Sequence, residues 1–336
     1  MKLLPLPLLT GLLIPSALAT SRISPPSSNC LVVSKSPSTG QYSTVSAAVN
    51  AIAASQSTSL QCIFIYPGTY SEQVTVPSLK TSQLSIYGST TDTSLYTANT
   101  VTITSSLSQA HGLSNDESGT LRVKAKGFRL YNVNVNNGYG KGSQAVALSA
   151  QTDSGYYGCR FTGYQDTVLA NAGRQVYSRC LVQGATDFVF GRRGQAWFER
   201  CDIRVVEASL GYVSANGRES ASGESYYVFN RGAVAAAAGH NVPNGAYYLG
   251  RPWGAYARVV FQRMEISAVI NPAGWRIWNN GDERISGVLF GEYGNTGSGA
   301  SGTRAHFAKK LGEPVAMATV LGSGYASETY YDASYF

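Results

Sequence analysis

The chain has 336 residues, with 26 Lys and Arg against 19 Asp and Glu, a net charge of +7 and only 13% charged residues. Its 36 Gly and 22 Tyr describe a turn-rich, strand-rich body and exclude an architecture of long amphipathic helices. No basic run or aromatic-basic platform accompanies the positive charge, which argues against nucleic acid as the partner.

Reading from the N-terminus, Lys2 precedes an apolar stretch, Leu3 to Leu18, that ends in Ala17-Leu18-Ala19. A short positive region, an apolar core and a small-residue cleavage site predict a secretory signal over 1–19. Residues 20–336 then form one exported domain with no further membrane segment. Val45, Ala48, Val49 and Ile52 follow the i, i+3, i+4, i+7 pattern after Ser43 as N-cap, which predicts a short helix covering one end of the domain. Cys62-Ile63-Phe64-Ile65-Tyr66, Tyr131 to Val135 and Arg258 to Phe261 are β-branched and aromatic and read as strands.

Through the middle of the chain one step of 21 recurs. Gly142, Gly163 and Gly184 obey it, as do Tyr156, Tyr177 and Phe198, Cys159, Cys180 and Cys201, Gln144 and Gln165, and Asp166 and Asp187. A fixed period of this length is the mark of a solenoid. Strand-forming residues inside the period, with the crossover hand that chirality favours, predict an all-β, single-stranded right-handed parallel β-helix with a short N-terminal cap helix.

Five cysteines leave one over after pairing. Neighbouring coils lie about 4.8 Å apart, so Cys159, Cys180 and Cys201 hold either one bridge or none, with a buried stack of free thiols favoured. Cys30 and Cys62 flank the cap helix and are the better pair for a disulfide.

The same stacking brings Asp166 and Asp187 together, and two carboxylates about 4.8 Å apart resist ionising together. One charged and one neutral carboxyl make a nucleophile beside a general acid. Gln144 and Gln165 add amide donors for an oxyanion. Those are the parts for acyl transfer; the bland alternative is an inward ladder of mutually bonded polar residues. Gln165 and Asp166 are consecutive, so both reach solvent only if the chain bends there, which Gly163 would ease. No G-x-S-x-G elbow and no phosphate loop occur, and His111, His240 and His306 are scattered.

Gly68-Thr69-Tyr70-Ser71-Glu72, Gln144 to Leu148, Gly163-Tyr164-Gln165-Asp166-Thr167, Asp187-Phe188-Val189-Phe190-Gly191 and Leu249-Gly250-Arg251-Pro252-Trp253 resemble, in order, the five signature segments of the secreted microbial pectin methylesterases, or pectinesterases. Ser43-Thr44-Val45 near the start and Gly291-Glu292-Tyr293 near the end extend the resemblance over almost all of 20–336. It implies hydrolysis of the methyl esters of galacturonic acid units in pectin by an extracellular monomer, with no metal or organic cofactor and no membrane or nucleic-acid partner. Carried over, Asp187 is the nucleophile, Asp166 the acid and then the base, Gln144 and Gln165 the oxyanion donors, and Arg251 the partner of Asp187. Trp253 and Trp275 would pack against sugar rings, and Phe190 and Tyr164 would line the cleft. Glu72 reads as structural, and Trp278 gains nothing from the resemblance.

Leu169 stands where many relatives have tyrosine, and 88–118 and 218–226 match the pattern poorly. A polygalacturonase or pectate lyase would share the solenoid but needs other acidic clusters or a calcium site, and a non-catalytic wall-binding solenoid is the remaining alternative. The net charge itself favours association with polyanions, of which demethylated pectin is one.

Overall fold

The computed structural model describes residues 20–81 and 83–336; the segment read as a secretory signal lies outside them. Three parallel sheets of eleven, eight and seven strands wind into the parallel β-helix expected from the period. One coil shows the plan. Ala172–Ser178 lies in the eleven-stranded sheet, Leu181–Gly184 in the eight-stranded sheet and Val189–Gly191 in the seven-stranded sheet.

The 21-residue step is the register itself over these coils, since Tyr156 pairs with Tyr177 and Tyr177 with Phe198. Their rings stack inside the solenoid at 4.7 and 4.4 Å, and Phe229 and Phe261 continue the column at 4.5 and 4.3 Å. Stacked aromatics bury large apolar area while every backbone group stays in the ladder. The step breaks where loops differ. Leu148 pairs with Val168, one residue short of it, because Thr167 O accepts from both Ala147 and Leu148 and one residue bulges. Val189 pairs with Ser214, after a longer excursion between coils.

The cap helix spans Val45–Ser55 and buries the four residues that the periodicity selects. Its N-cap is Thr44 rather than Ser43, with Thr44 Oγ1 accepting from Ala47 N at 3.2 Å. Glu72 has the structural role expected of it by another route: its carboxylate accepts from Val45 N and Ser46 N at 2.8 and 2.9 Å, placing a negative charge at the helix N-terminus.

Cys30 and Cys62 form a disulfide, and Cys159, Cys180 and Cys201 are free and buried. The bridge closes a segment with a sequence separation of 32. Replacing both cysteines by Ser is therefore expected to lower stability by about 3–4 kcal/mol, read as the denaturation midpoint of the oxidised protein against the double variant.

At the other end of the chain, the tail crosses the outside of the eleven-stranded sheet. Val320, Leu321, Tyr330 and Tyr335 bury against Tyr131, Tyr157, Val176 and Trp197. Tyr157 Oη donates to Tyr330 O at 2.5 Å and accepts from Asp332 N at 2.8 Å, which fixes the strap in place.

Candidate active site

Asp166 and Asp187 stand at the corner where the eight-stranded sheet turns into the seven-stranded one. Gln165 pairs with Thr186, Val168 pairs with Val189, and Asp166 N donates to Thr186 O at 3.0 Å. The two acids thus occupy adjacent rungs, about 4.8 Å apart by strand spacing. Both adopt left-handed backbone, with φ of 65° and 51°. That conformation is what turns consecutive residues to the same side, and Asp tolerates it better than most residues.

The bend therefore lies in the aspartates themselves, not in Gly163. Gly163 and Gly184 have ordinary φ, but a Cβ on Gly163 would come within 2.9 Å of Thr167 Oγ1 and one on Gly184 within 2.4 Å of Phe188 Cβ. These glycines make room for the turned segments that follow them.

The corner opens into a cavity shared by Asp166, Asp187, Gln144, Gln165 and Arg251. Arg251 grips Asp187 with two parallel bonds, Nε to Oδ1 at 2.9 Å and Nη2 to Oδ2 at 2.7 Å. A bidentate pair of this kind fixes direction as well as charge. Among the described residues the side chains of Asp166, Gln144 and Gln165 have no hydrogen-bond partner, so two amides and one carboxyl face the cavity unengaged.

Burial raises the Asp187 carboxyl above its ordinary value, and the bonds and charge of Arg251 oppose that rise. Asp166 is driven well above the usual carboxylate range, first by burial and then by the charge of Asp187, with Arg251 opposing. Asp187 ionises first and Asp166 keeps its proton. A carboxyl whose folded value is raised contributes stability that is full below its unfolded value of about 3.9 and lost as pH rises through the folded one. Asp166→Asn is accordingly expected to melt higher than the native chain at pH 7, with the difference gone at about pH 3.5.

The remaining expected residues divide. Phe190 forms the apolar floor with Val146, Leu169 and Ala215, and Trp253 packs on that floor with its ring 6.0 Å from Phe190. Both line the cavity. Trp275 does not: it is 1% exposed, stacks on Phe290 at 4.4 Å and donates from Nε1 to Glu292 at 3.1 Å inside the solenoid. The ring lies in the core where the motif implied an outward sugar contact. Tyr164 also misses the cleft. It packs on Ala185, Val206 and Ala237 and faces a separate groove with Arg160, Thr162 and Gln183. It precedes the bend at Asp166, so strand alternation still sends it to the other side of the corner.

Four residues at or behind the site went unselected in the sequence. Gln109 and Asn115 line the cavity and come from the stretch that matches the family pattern poorly. Tyr212 and Trp278 sandwich the Arg251 guanidinium at 4.1 and 4.3 Å. Of these, Trp278 follows no period that would connect it to the acids.

Taken as chemistry, the corner offers an oriented carboxylate, an adjacent protonated carboxyl and two free amide donors beside an aromatic wall. The pectinesterase family model matches residues 30–313. A pectinesterase of Aspergillus niger is 48% identical over 323 residues, covering 95% of this chain and 96% of its own. One of Aspergillus aculeatus is 48% identical over 325 residues, covering 96% of each. The crystal structure of the Aspergillus niger pectin methylesterase superposes with a TM-score of 0.85 at 40% identity, covering 94% of this chain and 100% of that one. The carrot enzyme gives 0.80 at 29% identity, over 93% and 98%.

Proposed function

The chain belongs to the pectinesterase family and hydrolyses the methyl esters of pectin; we propose that it does so through an acyl-enzyme on Asp187. An Asp187 oxygen attacks the ester carbonyl of a galacturonate unit. The tetrahedral oxyanion is held by the amide N–H groups of Gln144 and Gln165. Collapse breaks the bond to methoxide, which leaves as methanol with the Asp166 proton and yields a mixed anhydride. Asp166, now a carboxylate, takes a proton from water as that water attacks the anhydride. Collapse breaks the anhydride bond, restoring the Asp187 carboxylate and freeing galacturonic acid, which gives its remaining proton to solvent as it departs, and Asp166 is protonated again. Trp253 and Phe190 supply the face against which a sugar ring lies.

The single observation that carries this reading is the asymmetry of the pair. Arg251 bonds both oxygens of Asp187 and none of Asp166. On our reading that asymmetry makes Asp187 the nucleophile and Asp166 the acid.

We also place the enzyme outside the cell as a monomer, after removal of residues 1–19. The Cys30–Cys62 disulfide supports the extracellular placement, since such bridges persist in oxidising compartments. Methylated pectin incubated with the protein should release methanol with no fall in polymer length, followed by gas chromatography beside viscometry. Chain shortening without methanol would mean a glycosidase or lyase, and neither change would mean a binding solenoid.

A further inference from the structure

On a different edge of the solenoid, at the turn from the eleven-stranded to the eight-stranded sheet, one position is left-handed on seven successive coils. Its occupants are Asn132, Gly158, Arg179, Arg200, Arg231, Arg263 and Gly294, with φ between 50° and 58°. The register makes them one column. Ser178 pairs with Glu199, Glu199 with Asn230, Asn230 with Gln262 and Gln262 with Tyr293, and each column residue follows directly. Arg179, Arg200, Arg231 and Arg263 donate their backbone N–H to the coil ahead at 2.9, 2.8, 3.2 and 2.8 Å.

Gly and Asn are what such a position ordinarily takes, and they hold it at three of the seven coils. Arginine has no local bond that favours left-handed backbone, so four of them accept strain of about 1–2 kcal/mol each. They also place like charges about 4.8 Å apart along the axis, which is unfavourable. The fold does not demand this, because Asn would satisfy every backbone bond at the same corner.

The charges are only partly neutralised. Arg179 donates to Tyr335 O at 3.1 Å and is taken up by the tail. Arg200, Arg231 and Arg263 are exposed, and among the described residues their guanidinium groups make no hydrogen bond. The buried Glu199 carboxylate lies 3.8 Å from Arg200 and 3.6 Å from Arg231, one charge facing two. Arg231 and Arg263 further border a cavity of ≈ 340 Å³ walled by Tyr325, Tyr331 and Phe336 of the tail. Cations at a regular rise beside aromatic rings suit a linear chain of anionic sugars, whose carboxylates repeat and whose rings have apolar faces.

We propose that Arg200, Arg231 and Arg263 form a docking row for de-esterified pectin, a product-binding site separate from the catalytic corner. This rests on the esterase reading for the identity of the polymer. A long chain demethylated at one edge is then retained at another, which keeps the enzyme on the stretch it has worked.

The test uses the full protein and the triple variant Arg200→Asn, Arg231→Asn, Arg263→Asn, chosen because Asn fits left-handed backbone. Binding to immobilised polygalacturonate at low salt is expected to weaken on the order of tenfold, as three exposed ion pairs imply. Methanol release from a short methylated oligogalacturonide should stay at the native rate, which also certifies folding. The corresponding triple Lys variant keeps the charge and should keep most of the affinity. Unchanged affinity in the Asn triple overturns the proposal. So does duplex DNA that binds the native chain more tightly than polygalacturonate and shows the greater loss. A native protein that releases no methanol yet loses polygalacturonate affinity in the Asn triple keeps the docking row and loses the esterase reading.

Discussion

Asp187→Asn is expected to fold and to release methanol from methylated pectin about 10⁴-fold more slowly, or worse. An amide of the same shape has no charged oxygen to attack the ester, and no other carboxylate in the cavity can replace it, because Asp166 is held neutral. Left-handed backbone at φ 51° suits Asn as well as Asp, so the turn itself is kept. What is lost besides chemistry is half of the Arg251 clamp. Breaking a buried pair by removing one partner costs about 3–5 kcal/mol, and the Arg251 side chain is 16% exposed, so the lower end applies. The defect should fall on kcat, with KM close to native because the proposed ring face of Trp253 and Phe190 is untouched. A variant retaining more than about a hundredth of native kcat would remove Asp187 from the role of nucleophile.

The sequence carried the coils because stacking writes itself as a period: in-phase tyrosines, cysteines and acids are neighbours by register, and they are so in the structure. Phase says which rung a residue occupies but not which way it faces. Trp275 shows this, since it sits in a segment that matches the motif and yet its ring lies in the core. Tyr164 shows it again, one residue ahead of a bend whose position the alternation rule cannot locate. Gly163 eases the bend by leaving room beside Thr167 while the turned backbone itself falls on Asp166, and those two uses of a residue next to a bend look alike in sequence.

Contacts between coils of unequal loop length left no trace at all. Trp278 reaches Arg251 from 27 residues further along the chain, across a loop that follows no period. The strap of the C-terminal tail was equally silent, since its burial depends on an outer sheet face carrying Tyr131, Tyr157 and Trp197. The arginine column was visible as residues but not as strain, because left-handed backbone at Arg contradicts local preference and only tertiary register imposes it.

Asp166→Asn should divide the reaction into its halves. The variant cannot protonate departing methoxide or activate water, and general acid–base catalysis of this kind is worth about 10²–10⁴-fold, so kcat on methylated pectin should fall within that range. An ester whose leaving group needs no proton, such as a nitrophenyl galacturonate, bypasses the first defect but not the second. Mixed with the variant it should give a burst of one equivalent of nitrophenol per site, then a slow steady state, with label from the substrate trapped on Asp187. The pH profile carries the same division. Native activity is expected to rise as Asp187 ionises and to fall as Asp166 loses its proton; since burial and the Asp187 charge both push Asp166 upward, the alkaline limb is assigned to Asp166. Asn at 166 removes that limb and leaves the acid one. A variant that shows no burst and keeps both limbs would assign the acid to another group, and the two stacked carboxyls would then have no division of labour.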